Sequence, residues 1–130
     1  MGTIMTTTYT IGASTGPDET TTIVGNNGAE FITVGTVDAD GNVQFAGDTT
    51  VFAFGGNDDV RTGSGQDVLV GGAGDDYLQA GAGDDALFGQ DGNDNMRGGD
   101  GNDILAGGNG HDYMDGGTGD DALYGEMGAD

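Results

Sequence analysis

The chain has 130 residues, with 30 glycines and one proline, and its 23 acidic residues against two basic ones give a formal net charge of −21. Such a charge repels nucleic-acid phosphates and anionic membrane surfaces, so neither is expected as a partner. No apolar segment approaches the roughly 18 residues of a membrane-spanning helix. The N-terminus lacks the basic and apolar regions of a cleavable signal peptide, and the lack of cysteine excludes disulfides and thiolate metal sites. Read alone, this composition resembles a disordered acidic tail that binds cations.

Residues 1–52 contain threonine-rich and β-branched stretches that are typical of strands. They predict strands at Thr6–Ile11, Thr20–Val24, Phe31–Val37 and Val43–Phe45. Asn27-Gly28 and Asp40-Gly41 are turn signals between them. We find no nine-residue repeat in this segment and predict a β-rich N-terminal cap or small sheet, continuous with the fold that follows.

From Ala53 to the C-terminus the chain follows a register of nine residues without an insertion. The fourth place is always glycine: Gly56, Gly65, Gly74, Gly83, Gly92, Gly101, Gly110, Gly119 and Gly128. The sixth place is always aspartate: Asp58, Asp67, Asp76, Asp85, Asp94, Asp103, Asp112, Asp121 and Asp130. The eighth place is always apolar: Val60, Leu69, Leu78, Leu87, Met96, Leu105, Met114 and Leu123.

Each column of this repeat has a physical interpretation. The first six places are glycine-rich and predict a tight turn, and the last three places predict a strand of about three residues whose eighth-place side chain points inward. So short a strand must stack on the equivalent strand of another unit, which makes a solenoid. We predict two nonapeptides per coil, so that alternate units lie on opposite sides of a flattened roll.

The same stacking brings the sixth-place aspartates into two columns. Units two apart would lie roughly 4.8 Å from each other, the spacing of neighbouring strands. Bare carboxylates at that distance repel, and a row of Ca²⁺ ions between successive turns would remove the repulsion by taking oxygen ligands from both. The ligand set contains only oxygen, which indicates a hard cation, and Mg²⁺ fits less well because it demands stricter geometry.

These units resemble the repeats-in-toxin (RTX, hemolysin-type) nonapeptide G-G-x-G-x-D-x-U-x, as in residues 71–78 and 98–105. The resemblance covers residues 53–130. It implies a right-handed parallel β-roll, folding triggered by calcium, and an extracellular location reached by type I secretion. It also implies that the sixth-place aspartates and carbonyls of the glycine-rich turns, including those at the fourth-place glycines, hold the ions. Pairing units two apart predicts about seven Ca²⁺ ions in all. The match to the family pattern is imperfect where Ala53, Phe54, Thr62, Ala80, Gln90 and Glu126 replace glycine at the first or second place.

Outward-pointing residues differ between the two predicted sheets. One sheet would present an apolar face formed by Val68, Val70, Ala86, Phe88, Ile104, Ala106, Ala122 and Tyr124. The other would present a mixed polar face that contains both arginines, Arg61 and Arg97. A continuous apolar face is typical of an interface. Residues 1–52 could cover it, or it could support self-association or docking to another domain.

The sequence therefore predicts an all-β protein with a cap at residues 1–52 and a calcium-binding β-roll at residues 53–130. We expect a structural or binding module of a secreted protein, without catalysis of its own. His111 occupies a variable turn position and is expected to be exposed. Two alternatives are an extracellular protein that assembles in calcium, and an accessory domain of a secreted enzyme. The last repeat stops at Asp130 without a capping segment, so we expect either a longer parent protein or an open end that stacks on a partner.

Overall fold

A computed structural model describes residues 7–11, 21–34, 36–37, 43–44 and 47–128 of the chain. The strands in chain order are β1 (Thr7–Ile11), β2 (Thr21–Val24), β3 (Glu30–Val34), β4 (Thr36–Val37), β5 (Val43–Gln44), β6 (Thr49–Gly55), β7 (Asp59–Arg61), β8 (Val68–Ala73), β9 (Tyr77–Ala82), β10 (Ala86–Asp91), β11 (Asn95–Asp100), β12 (Ile104–Asn109), β13 (Tyr113–Thr118) and β14 (Ala122–Met127). The described residues form no helix, and therefore none that could cross a membrane.

The strands alternate between two parallel sheets as the chain advances. The first sheet has the order β1-β3-β7-β9-β11-β13, and the second has the order β14-β12-β10-β8-β6-β2. Within the repeats, partners lie one coil of 18 residues apart, so that Leu87 pairs with Leu69 on one side and with Leu105 on the other. This arrangement confirms the predicted all-β parallel roll with two nonapeptides per coil.

Most strands are longer than the three residues that the sequence predicts. Seven strands, β8 to β14, contain six residues each, because main-chain pairing continues through the first three places of the next unit. Phe88 pairs with Val70 and Gln90 pairs with Gly72 across that junction. Only β7 has the predicted length. The glycine-rich segment is therefore half strand and half turn, and the turn proper comprises places four to six.

Of the strands predicted in the first segment, those at β1 and β2 join the same two sheets, as does β3, the first part of the predicted strand Phe31–Val37. The rest of that prediction, at β4, and the predicted strand that begins at Val43, at β5, do not join them. β3 pairs with β7, with Ile32 opposite Val60, and β2 pairs with β6, with Ile23 opposite Val51. β4 and β5 form a separate antiparallel pair between β3 and β6. The predicted ends at Thr6, Thr20 and Phe45, and the turn at Asp40-Gly41, lie outside the described residues. The segment is thus continuous with the roll, while a domain boundary at residue 52 stays a prediction.

The core between the two sheets is formed mainly by one file of eighth-place side chains, together with the first-place alanines Ala53 and Ala80. From Val60 to Leu105 these side chains are fully buried, and Ile23, Ile32 and Val51 lengthen the file toward the N-terminus. Met114 is only half-buried, and Leu123 is 45 % exposed because no further described coil packs over it. A core one side chain wide buries little apolar surface, so the turns that flank it must contribute to stability.

The two outer faces differ as the sequence predicts. The second sheet exposes Phe88, Ile104 and Tyr124, and its strands β2 and β6 extend this face with Val24 and Phe52 instead of covering it. Arg61 lies on the first sheet, where it forms an ion pair with Asp59 at 2.8 Å and lies 5.1 Å from the Tyr77 ring centre. The described residues of the first segment therefore do not cover the apolar face.

Candidate metal centre

Glycine at the fourth place is required by both conformation and close approach. All nine of these glycines have positive φ, for example 133° at Gly92. A Cβ atom at Gly92 would overlap the carbonyl oxygen of Gly74, the equivalent residue one coil earlier. Any other residue would be strained and would push the coils apart. The column that the sequence identifies as a turn marker thus sets the distance between successive turns.

The sixth-place aspartates are buried in two columns, as predicted. From Asp58 to Asp112 these residues are at most 5 % exposed. One carboxylate oxygen of each accepts a hydrogen bond from the main-chain N–H of the sixth-place residue one coil earlier, as between Asp76 N–H and Asp94 Oδ1 at 2.9 Å. The same bond recurs along both columns, at 2.7 to 2.9 Å. Asp130 lies outside the described residues.

In six of these aspartates the second carboxylate oxygen is buried and has no hydrogen-bond partner. These six residues are Asp58, Asp67, Asp76, Asp85, Asp94 and Asp103. In units whose first place is glycine, the Oδ2 atom of the sixth-place aspartate lies where a Cβ atom of any other first-place residue would be. A Cβ at Gly89 would overlap Asp94 Oδ2 and lie 2.7 Å from the carbonyl oxygen of Gly107 in the next coil. Carboxylate and carbonyl oxygens therefore converge between turns, and such buried oxygens require a cation or a proton.

Electrostatics in these columns disfavours the bare carboxylates. Burial raises the pKa of both Asp76 and Asp85 from 3.8 to about 7, with like charges of neighbouring aspartates adding to the effect. Burial raises the pKa of both Asp58 and Asp94 to about 6. Near neutral pH the metal-free columns would have to bind protons or leave charges unpaired, whereas a divalent cation satisfies the ionised form.

The substitutions for glycine have two different outcomes. Phe54, Gln90 and Glu126 adopt the positive φ of the glycines that they replace, at 80°, 83° and 67°, so the turn geometry is kept there. At the unit that begins at Thr62 the preceding strand ends at Arg61, and pairing resumes in an isolated bridge between Ser64 and Ala82. The sheet pairing is therefore interrupted in this unit.

At the start of the Asp67 column, threonine stands at one sixth place, where later units have aspartate, and at one first place, where most units have glycine. Thr49 occupies the sixth place one coil before Asp67, and its N–H donates to Asp67 Oδ1 at 2.8 Å. The Thr62 hydroxyl donates to the carbonyl of Ala80 at 2.9 Å. Burial raises the pKa of Asp67, and contacts with Thr62 and Thr49 oppose that rise. Two threonines thus lie beside the first aspartate of this column.

A second ladder at the fifth place is not predicted from the sequence. Side-chain oxygens there accept the main-chain N–H of the fifth-place residue one coil later, as from Asn93 to Asp75 at 2.9 Å and from His111 to Asn93 at 2.9 Å. This polarity is opposite to that of the sixth-place ladder. The sequence signal is the recurrence of short Asp and Asn side chains at a place that we interpret as variable. His111 is exposed, as predicted.

No group of three or more His, Cys, Asp or Glu side chains converges on one point among the described residues. The carboxylates instead lie one coil apart, so main-chain carbonyls would have to complete any coordination shell. A cavity of about 230 Å³ is lined by Arg97, Asp100 and Asp115 together with Gln79 and several glycines. Its charged side chains are an arginine and two aspartates, and its lining contains no serine, cysteine or histidine.

Comparison with protein families identifies these turns. The model of the RTX calcium-binding nonapeptide repeat matches four copies, at residues 46–69, 61–96, 70–105 and 97–130. The chain belongs to the RTX calcium-binding repeat family. RTX repeats bind Ca²⁺, and the paired turns with their unpartnered carboxylate oxygens fit that ion. No curated protein and no solved structure matches the chain significantly.

Proposed function

We propose that this RTX chain is a calcium-dependent folding module of an extracellular protein, with no catalysis of its own. The observation that carries the proposal is the row of buried carboxylate oxygens that lack partners and lie in register along both columns. Bound Ca²⁺ would supply two positive charges between each pair of stacked turns. Extracellular calcium modules typically bind in the range of about 10⁻⁴ to 10⁻³ M, so the chain would stay unfolded before export.

In this proposal the ligands are the sixth-place aspartates from Asp58 to Asp130 together with carbonyls of the glycine-rich turns, including the fourth-place glycines. Pairing units one coil apart gives four ions in the Asp58 column and three in the Asp67 column, or about seven in all. Seven ions would reduce the formal charge from −21 to about −7, by adding +14. Calcium would thereby remove most of the repulsion that opposes a compact state.

Far-UV circular dichroism in chelator, followed by titration to millimolar Ca²⁺, tests the proposal. We expect an unfolded chain without calcium and a cooperative gain of strand signal with it. D94N should weaken the two sites that share Asp94, with a loss of about 5 kcal/mol of calcium-dependent stability if each site contributes about 2.7 kcal/mol. The exposed Asp115 provides the matched control D115N, which should titrate like the wild type. Identical spectra with and without calcium would overturn the proposal.

The apolar face of the second sheet favours a second candidate, assembly of several copies in calcium. Phe88, Ile104 and Tyr124 are exposed along one continuous side of the roll, and such patches are typical of interfaces. Sedimentation velocity in the same calcium titration separates the candidates. Association that requires Ca²⁺ supports assembly, and a monomer at high concentration removes it. An accessory role beside a catalytic domain would be seen in the sequence of the parent gene.

A further inference from the structure

The segment 25–33 contains a turn that the family match does not include, and it has the form of one more nonapeptide. Its sequence is Gly-Asn-Asn-Gly-Ala-Glu-Phe-Ile-Thr, with glycine at the first and fourth places and an apolar residue at the eighth. Ile32 is fully buried and pairs with the eighth-place Val60. Glu30 therefore occupies the sixth place, where the later units have aspartate.

Glu30 takes part in the same main-chain ladder as those aspartates. Its N–H donates to Asp58 Oδ1 at 2.8 Å, which repeats the bond between Asp58 N–H and Asp76 Oδ1 at 2.8 Å. The sequence separation is 28 residues instead of 18, because β4 and β5 are inserted between the two turns. This insertion breaks the nine-residue register and hides the unit from a search for regular repeats.

One carboxylate oxygen of Glu30 accepts a hydrogen bond, and the other does not. Glu30 is 1 % exposed. Oε1 accepts the N–H of Asn26 at 2.8 Å, while Oε2 is buried without a partner. One methylene longer than aspartate, the side chain reaches back across its own turn. A buried ionised oxygen without a donor is costly unless a cation neutralises it.

The surroundings of Oε2 match those of the regular turns. A Cβ at Gly25 would overlap Glu30 Oε2 and lie 2.7 Å from the carbonyl oxygen of Ala53. At Gly89 the same space is bounded by Asp94 Oδ2 and by the carbonyl oxygen of Gly107, also at 2.7 Å. In both places a first-place glycine, its sixth-place carboxylate and the first-place carbonyl of the next coil meet. The Oδ2 atom of Asp58, in the next turn, is likewise buried and unpartnered.

We propose that Glu30, with the Ala53 carbonyl and Asp58, binds a further Ca²⁺ ion between turn 25–30 and turn 53–58. This inference rests on the proposed function, because it assumes that the regular turns bind calcium. It extends the Asp58 column by one ion beyond the family-matched repeats. The other column begins at Thr49, which has no carboxylate, so we expect no corresponding ion there.

Native mass spectrometry of the full chain in calcium counts the ions and tests the inference. We expect E30Q to bind one ion fewer per chain than the wild type. Glutamine keeps the acceptor for Asn26 but not the charge. The control D115N, which also removes one carboxylate, should keep the full count. An unchanged count in E30Q would overturn the inference and leave the proposed function intact, as would an equal loss in E30Q and D115N. No bound calcium in the wild type would overturn both.

A second measurement does not depend on the folding of a variant. Anomalous X-ray scattering from crystals of the wild-type chain grown in calcium should show an ion beside Glu30 Oε2. Ions between the regular turns with none beside Glu30 would overturn the inference alone.

Discussion

At the scale of single residues, the second place of each unit shows what glycine contributes to this fold. Gln90 holds φ at 83°, in a region that the glycines at this place adopt readily. A side chain in this region costs about 1–2 kcal/mol, so stacking against neighbouring turns must compensate at Gln90. The intrinsic preference of glutamine is for negative φ. The strand pairing of Gln90 with Gly72 and Gly108 holds it in the positive-φ conformation.

Replacing this residue by glycine tests that reasoning. Q90G should stabilise the calcium-loaded protein by about 0.5–1 kcal/mol, because relief of the strain exceeds the added entropy of the unfolded chain. The control Q79G changes a glutamine within β9, where φ is not positive, and should destabilise it by about 0.5–1 kcal/mol. Urea unfolding in saturating Ca²⁺ measures both. A loss of stability in Q90G would contradict the argument.

At the scale of elements, each coil contributes two strands and two turns, and the main apolar contact of each strand with the core is its eighth-place side chain. Interactions therefore run between neighbouring coils, as in other solenoids. Leu87 in β10 is fully buried between its neighbours, whereas Leu123 in β14 is 45 % exposed. The same residue type at the same place thus contributes differently according to the coils that cover it.

Truncation of these two leucines measures the difference. L87A should lower the free energy of unfolding in Ca²⁺ by about 2–5 kcal/mol, as expected for a leucine that leaves a cavity in a core. L123A removes the same atoms from a half-covered position and should cost clearly less. Urea denaturation of both variants, with the wild type alongside, provides the comparison. Equal losses would indicate that the last coil is packed as tightly as the middle of the roll.

At the scale of the whole molecule, protons and calcium compete for the same carboxylate columns. Burial raises the pKa of Asp76 and Asp85 to about 7 and of Asp58 and Asp94 to about 6, above the ordinary value of 3.8. The folded metal-free state therefore binds more protons than the unfolded state between these values. The stability from these groups is fully present below about pH 4 and is lost as the pH rises through 6 to 7.

Calcium-free circular dichroism between pH 4 and pH 8 tests this linkage. We expect more strand signal at pH 4 than at pH 8 without metal. In saturating Ca²⁺ the dependence should reverse, because the ion requires ionised carboxylates and its binding releases protons. The double variant D76N/D85N should flatten the metal-free profile. Strand signal in the calcium-free wild type that rises with pH would contradict the assignment.

The sequence by itself determined the repeat and most of the architecture. A nine-residue period with fixed glycine, aspartate and apolar places predicts two parallel sheets, one file of core side chains and two columns of carboxylates. It also predicts the face to which Phe88 and Arg61 belong. These features follow from a sequence pattern that repeats without interruption from Ala53 onward. The structure inferred for one unit therefore applies to all the others.

The tertiary structure decided what the period could not. Only stacking shows that Glu30 lies one coil from Asp58 despite 28 residues of separation, and that Gln90 adopts a glycine conformation. It also sets the strand length and the fifth-place ladder that includes Asp75 and Asn93. The physical reason is that a solenoid fixes each coil by its neighbours, so a unit with a degenerate sequence keeps its place when the adjacent coils supply the hydrogen bonds.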